Sequence, residues 1–294
     1  MPVYKEEDGI IPFLKRLEPV LEKIGDYEII FCIDPSPDKT EEIIQLQAQR
    51  NSRIKGFIFS RRFGQPASTM AGILNCRGEA CVVIDVDLQD PPELIASLYD
   101  KLNEGYEVVY AKRRSREGET LPKLWVAWLG YKIIDKAGDV KIPRDTGDFR
   151  IMTRRIIEEL RNLPESHGFL RGLVAFVGFK QTHVEYDREK RSCGRGNYNP
   201  FLGSIKIGLN GLVGFSDVLL SFICVAGLVV GAGGLLAIIY MVVSHDLSLL
   251  LPGLVLFIGG VQLIAVGILG QYIGRIYDEV RRRPVYIVDK RINI

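Results

Sequence analysis

Histidine and tryptophan are scarce in this chain, with three and two copies in 294 residues, and its five cysteines form no C-x-x-C pair. His167, His183 and His245 show no ligand spacing, so a zinc centre built from imidazole or thiolate is not expected. Cys32, Cys76, Cys81, Cys193 and Cys224 read as free thiols in a reducing compartment, since an odd count without pairing pattern is no disulfide framework. Neither G-x-G-x-x-G nor G-x-x-x-x-G-K-[ST] occurs, which weighs against dinucleotide oxidoreductases and P-loop NTPases. The net charge is +2 with no face-sized basic cluster, so nucleic acid is not an expected partner. Internal repeats and low-complexity tracts are missing too. The N-terminal residues do not read as a signal peptide, and the polar part is expected to stay in the cytoplasm.

Charge is absent from two long stretches. Val218–Val243 and Leu247–Gly274 carry no Asp, Glu, Lys or Arg, and each exceeds the roughly 20 apolar residues a helix needs to cross a bilayer. Buried helices of a soluble core are the competing reading, but such helices rarely stay uncharged for so long. Two transmembrane helices, about 218–243 and 248–272, are therefore expected within 217–274. Before them, 201–216 places Phe201, Ile205, Leu209 and Leu212 at helical spacing, as in a helix lying in the membrane interface; a buried soluble helix is the alternative. The linker Ser244-His245-Asp246 has no Lys or Arg, whereas Arg275, Arg281, Arg282 and Arg283 follow the second run. Positive charge marks the cytoplasmic side, so both termini and the polar domain are expected there, with the chain a multi-pass protein of the cell membrane. The basic tail 275–294 is expected to form a short strand at Pro284–Val288 that folds back on that domain.

Residues 1–200 alternate short apolar runs with amphipathic stretches. Tyr27–Ile33, Ile54–Phe59, Ala80–Ile84 and Glu107–Ala111 read as buried strands; Glu6–Ile24, Asp38–Arg50, Gln65–Cys76 and Pro92–Glu104 read as helices. That alternation predicts an α/β domain around a mostly parallel sheet. In such sheets ligands bind beyond the carboxyl ends of the strands.

The strongest local signal lies at such an end: Asp85-Val86-Asp87-Leu88-Gln89-Asp90-Pro91-Pro92, directly after Cys81–Ile84. Two carboxylates at i and i+2 suit Mg²⁺ or Mn²⁺, which bind through one or two carboxylates plus substrate phosphates. Such a cation would neutralise a departing diphosphate. A turn or cap role is the plainer reading of D-x-D, and Asp90, ahead of two prolines, is expected to be only an N-cap. A further carboxylate, Asp148, sits in Thr146-Gly147-Asp148-Phe149-Arg150. It reads either as turn chemistry or as a group facing the acceptor, with Arg150 placed to grip a phosphate in bidentate fashion. Arg61-Arg62, Arg113-Arg114 and Arg188, Arg191 and Arg195 are basic residues where anions would be bound, or else a solvated face.

These motifs, taken with PVYKEED, FCIDPSPDKT, FSRRFGQPASTMAGI, DVDLQDPPELI, YAKRRSREGET and TGDFRIM, resemble in order those of polyprenyl-phosphate glycosyltransferases. These are inverting enzymes of family two with a GT-A fold, and include bactoprenol glucosyltransferases and, more distantly, dolichol-phosphate mannose synthase. The resemblance extends over the chain, including GGVQLIAVGILGQYIGRIYDEV. It implies transfer of a hexose from a nucleotide diphosphate sugar, UDP-linked by likeness, to polyprenyl phosphate, for envelope glycan or glycoconjugate modification. It implies that Pro2, Tyr4, Glu6 and Asp34 line the nucleobase and ribose pocket, with Asp85 on the donor. Asp85, Asp87 and Gln89 would handle the metal and diphosphate. Asp148 matches the proposed base, and Arg113 and Arg150 match positions near phosphates. Members often form homo-oligomers.

Three departures stand out. The family carries a complete first strand before P-x-Y-N-E-E, whereas here the motif opens the chain, and an upstream extension is expected to raise stability and activity. Lys5 replaces Asn and Asp34-Pro35-Ser36-Pro37 replaces D-G-S. Gly194–Tyr198 (G-R-G-N-Y) stands where members carry Ser or Thr then Lys, leaving Arg195 as the candidate substitute. A membrane-tethered sugar-nucleotide-binding protein without turnover is the competing reading. A transporter subunit is disfavoured, because only Gln262 and Gln271 offer strong side-chain hydrogen bonding in the spans.

Overall fold

The computed structural model describes residues 1–114, 143, 146–163, 170–189 and 250–294, together with scattered helical positions between 220 and 240. The elements run β1 (Pro2–Val3), α1 (Ile10–Ile24), β2 (Ile29–Ile33), α2 (Thr40–Arg50), β3 (Ile54–Phe59), α3 (Gln65–Asn75), β4 (Ala80–Val83), α4 (Leu94–Asn103), β5 (Val108–Arg113), β6 (Thr146–Thr153), α5 (Arg154–Asn162), α6 (Leu170–Val177), β7 (Gln181–Tyr186), α7 (Leu250–Arg281) and β8 (Val288–Ile292).

Strand order is β1-β2-β3-β8 in one sheet and β4-β6-β5-β7 in the other. Pairing is parallel for β1–β2, β2–β3 and β5–β7, and antiparallel where β6 and β8 join. The α/β frame thus carries antiparallel additions at those two strands. Alternate side chains of each strand point to opposite faces, and this divides the core in two. Ile29, Phe31 and Ile33 of β2, with Val109 and Ala111 of β5, pack against α1, α2 and α4 through Phe13, Leu17, Ile44 and Leu98. Ile30 and Cys32, with Val108 and Tyr110, pack the other way against Met70 of α3, Ile157 of α5 and Leu173 of α6. Both cores draw on both sheets, so the sheets form one central layer between helices.

Local sequence explains most helices. In α1 the buried residues Ile10, Phe13, Leu14 and Leu17 follow the i, i+3, i+4, i+7 pattern of an inward stripe. The expected start at Glu6 is corrected to Ile10, because the Glu6 carbonyl first accepts the Gly9 and Ile10 N–H groups in a turn. Similarly, α4 begins at Leu94, beyond the proline turn in which Pro91 and Pro92 carbonyls accept from Leu94 and Ile95.

The tail does fold back, but the expected strand at Pro284–Val288 is corrected to β8 at Val288–Ile292, antiparallel to β3. Tyr286 anchors the turn before it, with its ring 5.7 Å from that of Phe59 and its hydroxyl accepting from Asn75 Nδ2 at 2.8 Å. After it, Asn293 Nδ2 donates to the Ala48 and Ile54 carbonyls at 2.8 and 2.9 Å. Ahead of the tail, α7 has 32 residues, or about 48 Å at 1.5 Å per residue. Its window Phe257–Arg281 is long and apolar enough to cross a membrane and is not buried against the rest of the chain. The second expected stretch is thus helical, within a longer helix. The two-helix hairpin, the interfacial segment 201–216 and the G-R-G-N-Y stretch lie outside the described residues, apart from scattered helical positions in the first span.

Candidate active site

Strand register brings the two acidic motifs together. Val83 at the end of β4 is the partner of Arg150 in antiparallel β6. Two further residues along each strand bring Asp85 opposite Asp148. On the other side of β6, Lys112 of β5 pairs with Thr146, and the side chain of the next residue, Arg113, reaches back to Gly147. A Cβ on Gly147 would stand 3.0 Å from Arg113 Nη2.

Like charge then concentrates at one point. Burial first, and then the charges of Asp148, Asp87 and Asp90, push the Asp85 carboxyl up to about 7. Gln65 Nε2 donates to both Asp85 oxygens at 3.2 and 3.3 Å. Asp87 is buried and accepts the Gln89 N–H at 3.1 Å. Between them Leu88 takes a left-handed φ of 57° with its side chain in the core. A bulky residue leaves ordinary backbone space here because its buried side chain holds the turn closed. The first loop packs on this one: a Cβ on Gly9 would lie 3.1 Å from the Val86 carbonyl and 3.6 Å from Glu6 Oε2.

A cation fits this donor set, since it would relieve the mutual repulsion that lifts Asp85. Among the described residues no three His, Cys, Asp or Glu side chains gather into a cage of their own. Asp85 and Asp87 therefore match an ion completed by substrate oxygens. Gln89 contributes its backbone, with its carbonyl accepting from Glu189 N at 2.9 Å; no hydrogen bond of its amide occurs among the described residues. Asp90 is corrected from N-cap to buried tether. It accepts from the Tyr186 hydroxyl and, at 3.3 Å, from Arg188 Nε, which ties the end of β7 to the acidic loop.

Asp148 is the electrostatic opposite of Asp85. Burial alone would raise its carboxyl, but Arg171, Arg150 and Arg113 outweigh that and hold it below the usual carboxylate range. Arg171 Nε donates to Asp148 Oδ1 at 2.9 Å, and Arg150 Nη2 reaches the same oxygen at 3.4 Å. Arg150 is 0% exposed. Its Nη2 also donates to the Gly147 carbonyl at 3.0 Å and its Nε to the Asp148 carbonyl at 3.2 Å. The guanidinium lies over the Tyr110 ring, 5.3 Å from its centroid. The bidentate phosphate grip expected of Arg150 is therefore not available, because Nε and Nη2 are committed to the loop itself. Its Nη1, and Nε of Arg113, are buried without a hydrogen-bond partner among the described residues.

The residues expected to line the donor pocket lie in or just after β1 and β2. Lys5 N donates to Ser36 Oγ at 3.1 Å, Glu6 N to Thr40 Oγ1 at 3.0 Å and Lys39 N to Glu7 Oε2 at 2.9 Å, which zips the first loop to the one after β2. Arg62 lies 3.8 Å over the Tyr4 ring. Pro2 pairs with Cys32 on β2. Asp34 is buried, and its two oxygens accept the Phe63 and Gly64 N–H groups, each at 2.9 Å. Its carboxylate braces the turn into α3, where Gly64 has a φ of +90°. Pro2 thus lies in β1 with Tyr4 and Glu6 just after it and Asp34 just after β2, while Asp85 and Asp87 follow β4, Arg113 ends β5, and Asp148 and Arg150 lie in β6. Arg191 and Arg195 lie outside the described residues.

Sequence reasoning missed Arg171. It lies on a short helix with no motif around it, and only the fold carries it to Asp148.

The glycosyl transferase family 2 profile matches residues 1–161. An uncharacterized glycosyltransferase of Bacillus subtilis is 41% identical over 302 residues, spanning 100% of this chain and 93% of its own. The prophage-derived bactoprenol glucosyl transferase of Shigella flexneri is 37% identical over 99% of this chain and 96% of its own. The prophage bactoprenol glucosyl transferase homolog of Escherichia coli K12 is 35% identical over 99% and 97%. With its GT-A-like frame, paired acidic loops and this likeness along its whole length, the chain belongs to glycosyl transferase family 2 and is a glycosyltransferase.

Proposed function

We propose that this chain transfers a hexose from a nucleotide diphosphate sugar, UDP-linked by likeness, to polyprenyl phosphate with inversion at the anomeric carbon. The observation that carries the reading is the meeting of Asp85 with Asp148 across the β4–β6 ladder, with Arg113 and Arg150 behind. One side is built for a cation and diphosphate, the other for an anionic acceptor. The bactoprenol glucosyl transferases among its relatives support the lipid acceptor, and the apolar window of α7 is consistent with work at a membrane.

Asp85 and Asp87 would hold Mg²⁺ or Mn²⁺, which when bound would offset the charge of the departing diphosphate. The acceptor phosphate oxygen attacks the anomeric carbon in line as the sugar–diphosphate bond breaks. A phosphate monoester has a second pKa near about 6, so the nucleophile is already ionised at neutral pH. Asp148, held ionised by its arginines, has little proton affinity to offer. Its role is orientation of the acceptor or of a cation, while Arg113 and Arg150, each with one buried N–H unpartnered among the described residues, would supply positive charge toward the phosphate.

The test is transfer of radiolabel from a panel of nucleotide sugars into the lipid fraction of membranes supplied with undecaprenyl phosphate and Mg²⁺ or Mn²⁺. Label should enter the lipid with at least one donor and stop on chelation, with the product anomer read by NMR. No labelled lipid with any donor or cation would end the proposal.

A further inference from the structure

The two arginines that touch Asp148 use it unevenly. Arg171 Nε and Arg150 Nη2 both fall on Oδ1, at 2.9 and 3.4 Å, and Oδ2 has no hydrogen-bond partner among the described residues. Arg150 comes from β6 itself, two residues along, and is engaged with that loop's own carbonyls. Arg171 comes from elsewhere. It lies on α6, whose Leu170, Leu173 and Val174 are buried in the core. The shorter of the two bonds therefore starts from an anchored element.

From this geometry we infer that Arg171 is the positioning residue for Asp148, fixing Oδ1 from α6 so that Oδ2 is the oxygen left to the ligand. The inference rests on the glycosyl-transfer reading and deepens it. Terminal carboxylate torsions are broad, and Arg150 alone, at the longer distance, would leave the Asp148 carboxylate freer to rotate. Misplacement of a reacting group by about 1 Å can cost on the order of 100-fold in rate. The pair is partly exposed, at 25% and 29% of the side chains. Arg150 stays beside Asp148 when Arg171 is removed, so the carboxylate is not left unpaired and the loss should appear in turnover well before melting.

The experiment is a double-mutant cycle on the full chain in detergent or lipid, with R171M, R171K, D148N and R171M/D148N. Rates are read by radiolabel transfer under single-turnover conditions, alongside donor KM and Tm. R171M should lower the transfer rate about 10- to 100-fold with donor KM and Tm nearly unchanged, and R171K should recover part of the loss. Because Arg171 acts through Asp148, R171M should cost less than about 2-fold more once D148N is present. Losses that multiply, a change in KM alone, or a fall in Tm that tracks the rate would each overturn the assignment. If R171M does not accumulate, R171K against R171Q gives the same decision through the rate and Tm. Wild-type turnover is measured first. Its absence defeats the glycosyl-transfer reading, whereas an active wild type with additive variants defeats only the role of Arg171.

Discussion

Asp85 and Asp148 sit opposite each other, one carboxyl pushed up to about 7 and the other held below its usual range. Neighbouring charges of opposite sign account for the contrast. Asp85→Asn keeps the shape and removes a cation-binding charge. Transfer should fall about 100-fold or more, and the remaining rate should lose most of its dependence on Mg²⁺ or Mn²⁺; an unchanged cation requirement would remove Asp85 from the cation site. Gly147→Ala addresses the basic side. Its new methyl would sit 3.0 Å from the end of the Arg113 side chain, a flexible group that can move away. The expected result is a slower enzyme with a wild-type melting temperature. Unaltered transfer would mean that Arg113 has no part near the phosphates.

Element-scale order depends on how strands and loops are fastened at their ends. Glu28, just before β2, is half-buried beside Lys55 of β3, with Oε2 2.6 Å from Nζ, and also accepts the Arg77 N–H. Burial pushes the Glu28 carboxyl up, but the bonds from Lys55 and Arg77 more than reverse this and leave it below its ordinary value. A depressed carboxylate stabilises the fold above its unfolded pKa and ceases to do so as pH falls through the folded value. Wild type should therefore exceed Glu28→Gln by about 1 kcal/mol at neutral pH. Thermal unfolding from neutral to acid pH should show that advantage shrinking below the ordinary glutamate range; a constant gap would refute the linkage. The same scale shows where sequence patterns were legible. The alternating apolar residues of β2 and the inward stripe of α1 announce themselves, because each is a repeat over a few residues. For the tail strand the sequence points four residues early, because Pro284–Val288 is the more apolar stretch, while β8 is specified by its partner β3 and by Asn293.

At the scale of the molecule, α7 as far as Gly274 carries no charged side chain and exposes large apolar ones, with Leu263 75% and Ile264 66% exposed. An exposed apolar helix calls for an apolar surrounding, and the uncharged part of α7 is long enough to cross a bilayer. Membrane association follows as an expected outcome. The chain should stay with membranes after an alkaline wash, and Leu263→Lys should weaken insertion by about 3 kcal/mol. Recovery of the wild-type chain in the washed supernatant would contradict it. The β8 tail meanwhile returns the chain from the end of this helix to β3, so the catalytic frame is tied to α7 through a short connection.

Composition, hydrophobic period and the D-x-D motif were enough to establish the α/β frame, the acidic loop at the end of β4 and the apolar C-terminal helix, because each is written in residues close together in the chain. Only the tertiary structure decided that Asp90 is tethered by Tyr186 and Arg188, that Asp34 braces the Phe63–Gly64 turn, that Arg150 is committed to its own loop, and that Arg171 reaches Asp148. Those contacts depend on which strands become neighbours and in what register. A single antiparallel strand, β6, sets that register across β4 and β5, and nothing local to either acidic motif encodes it.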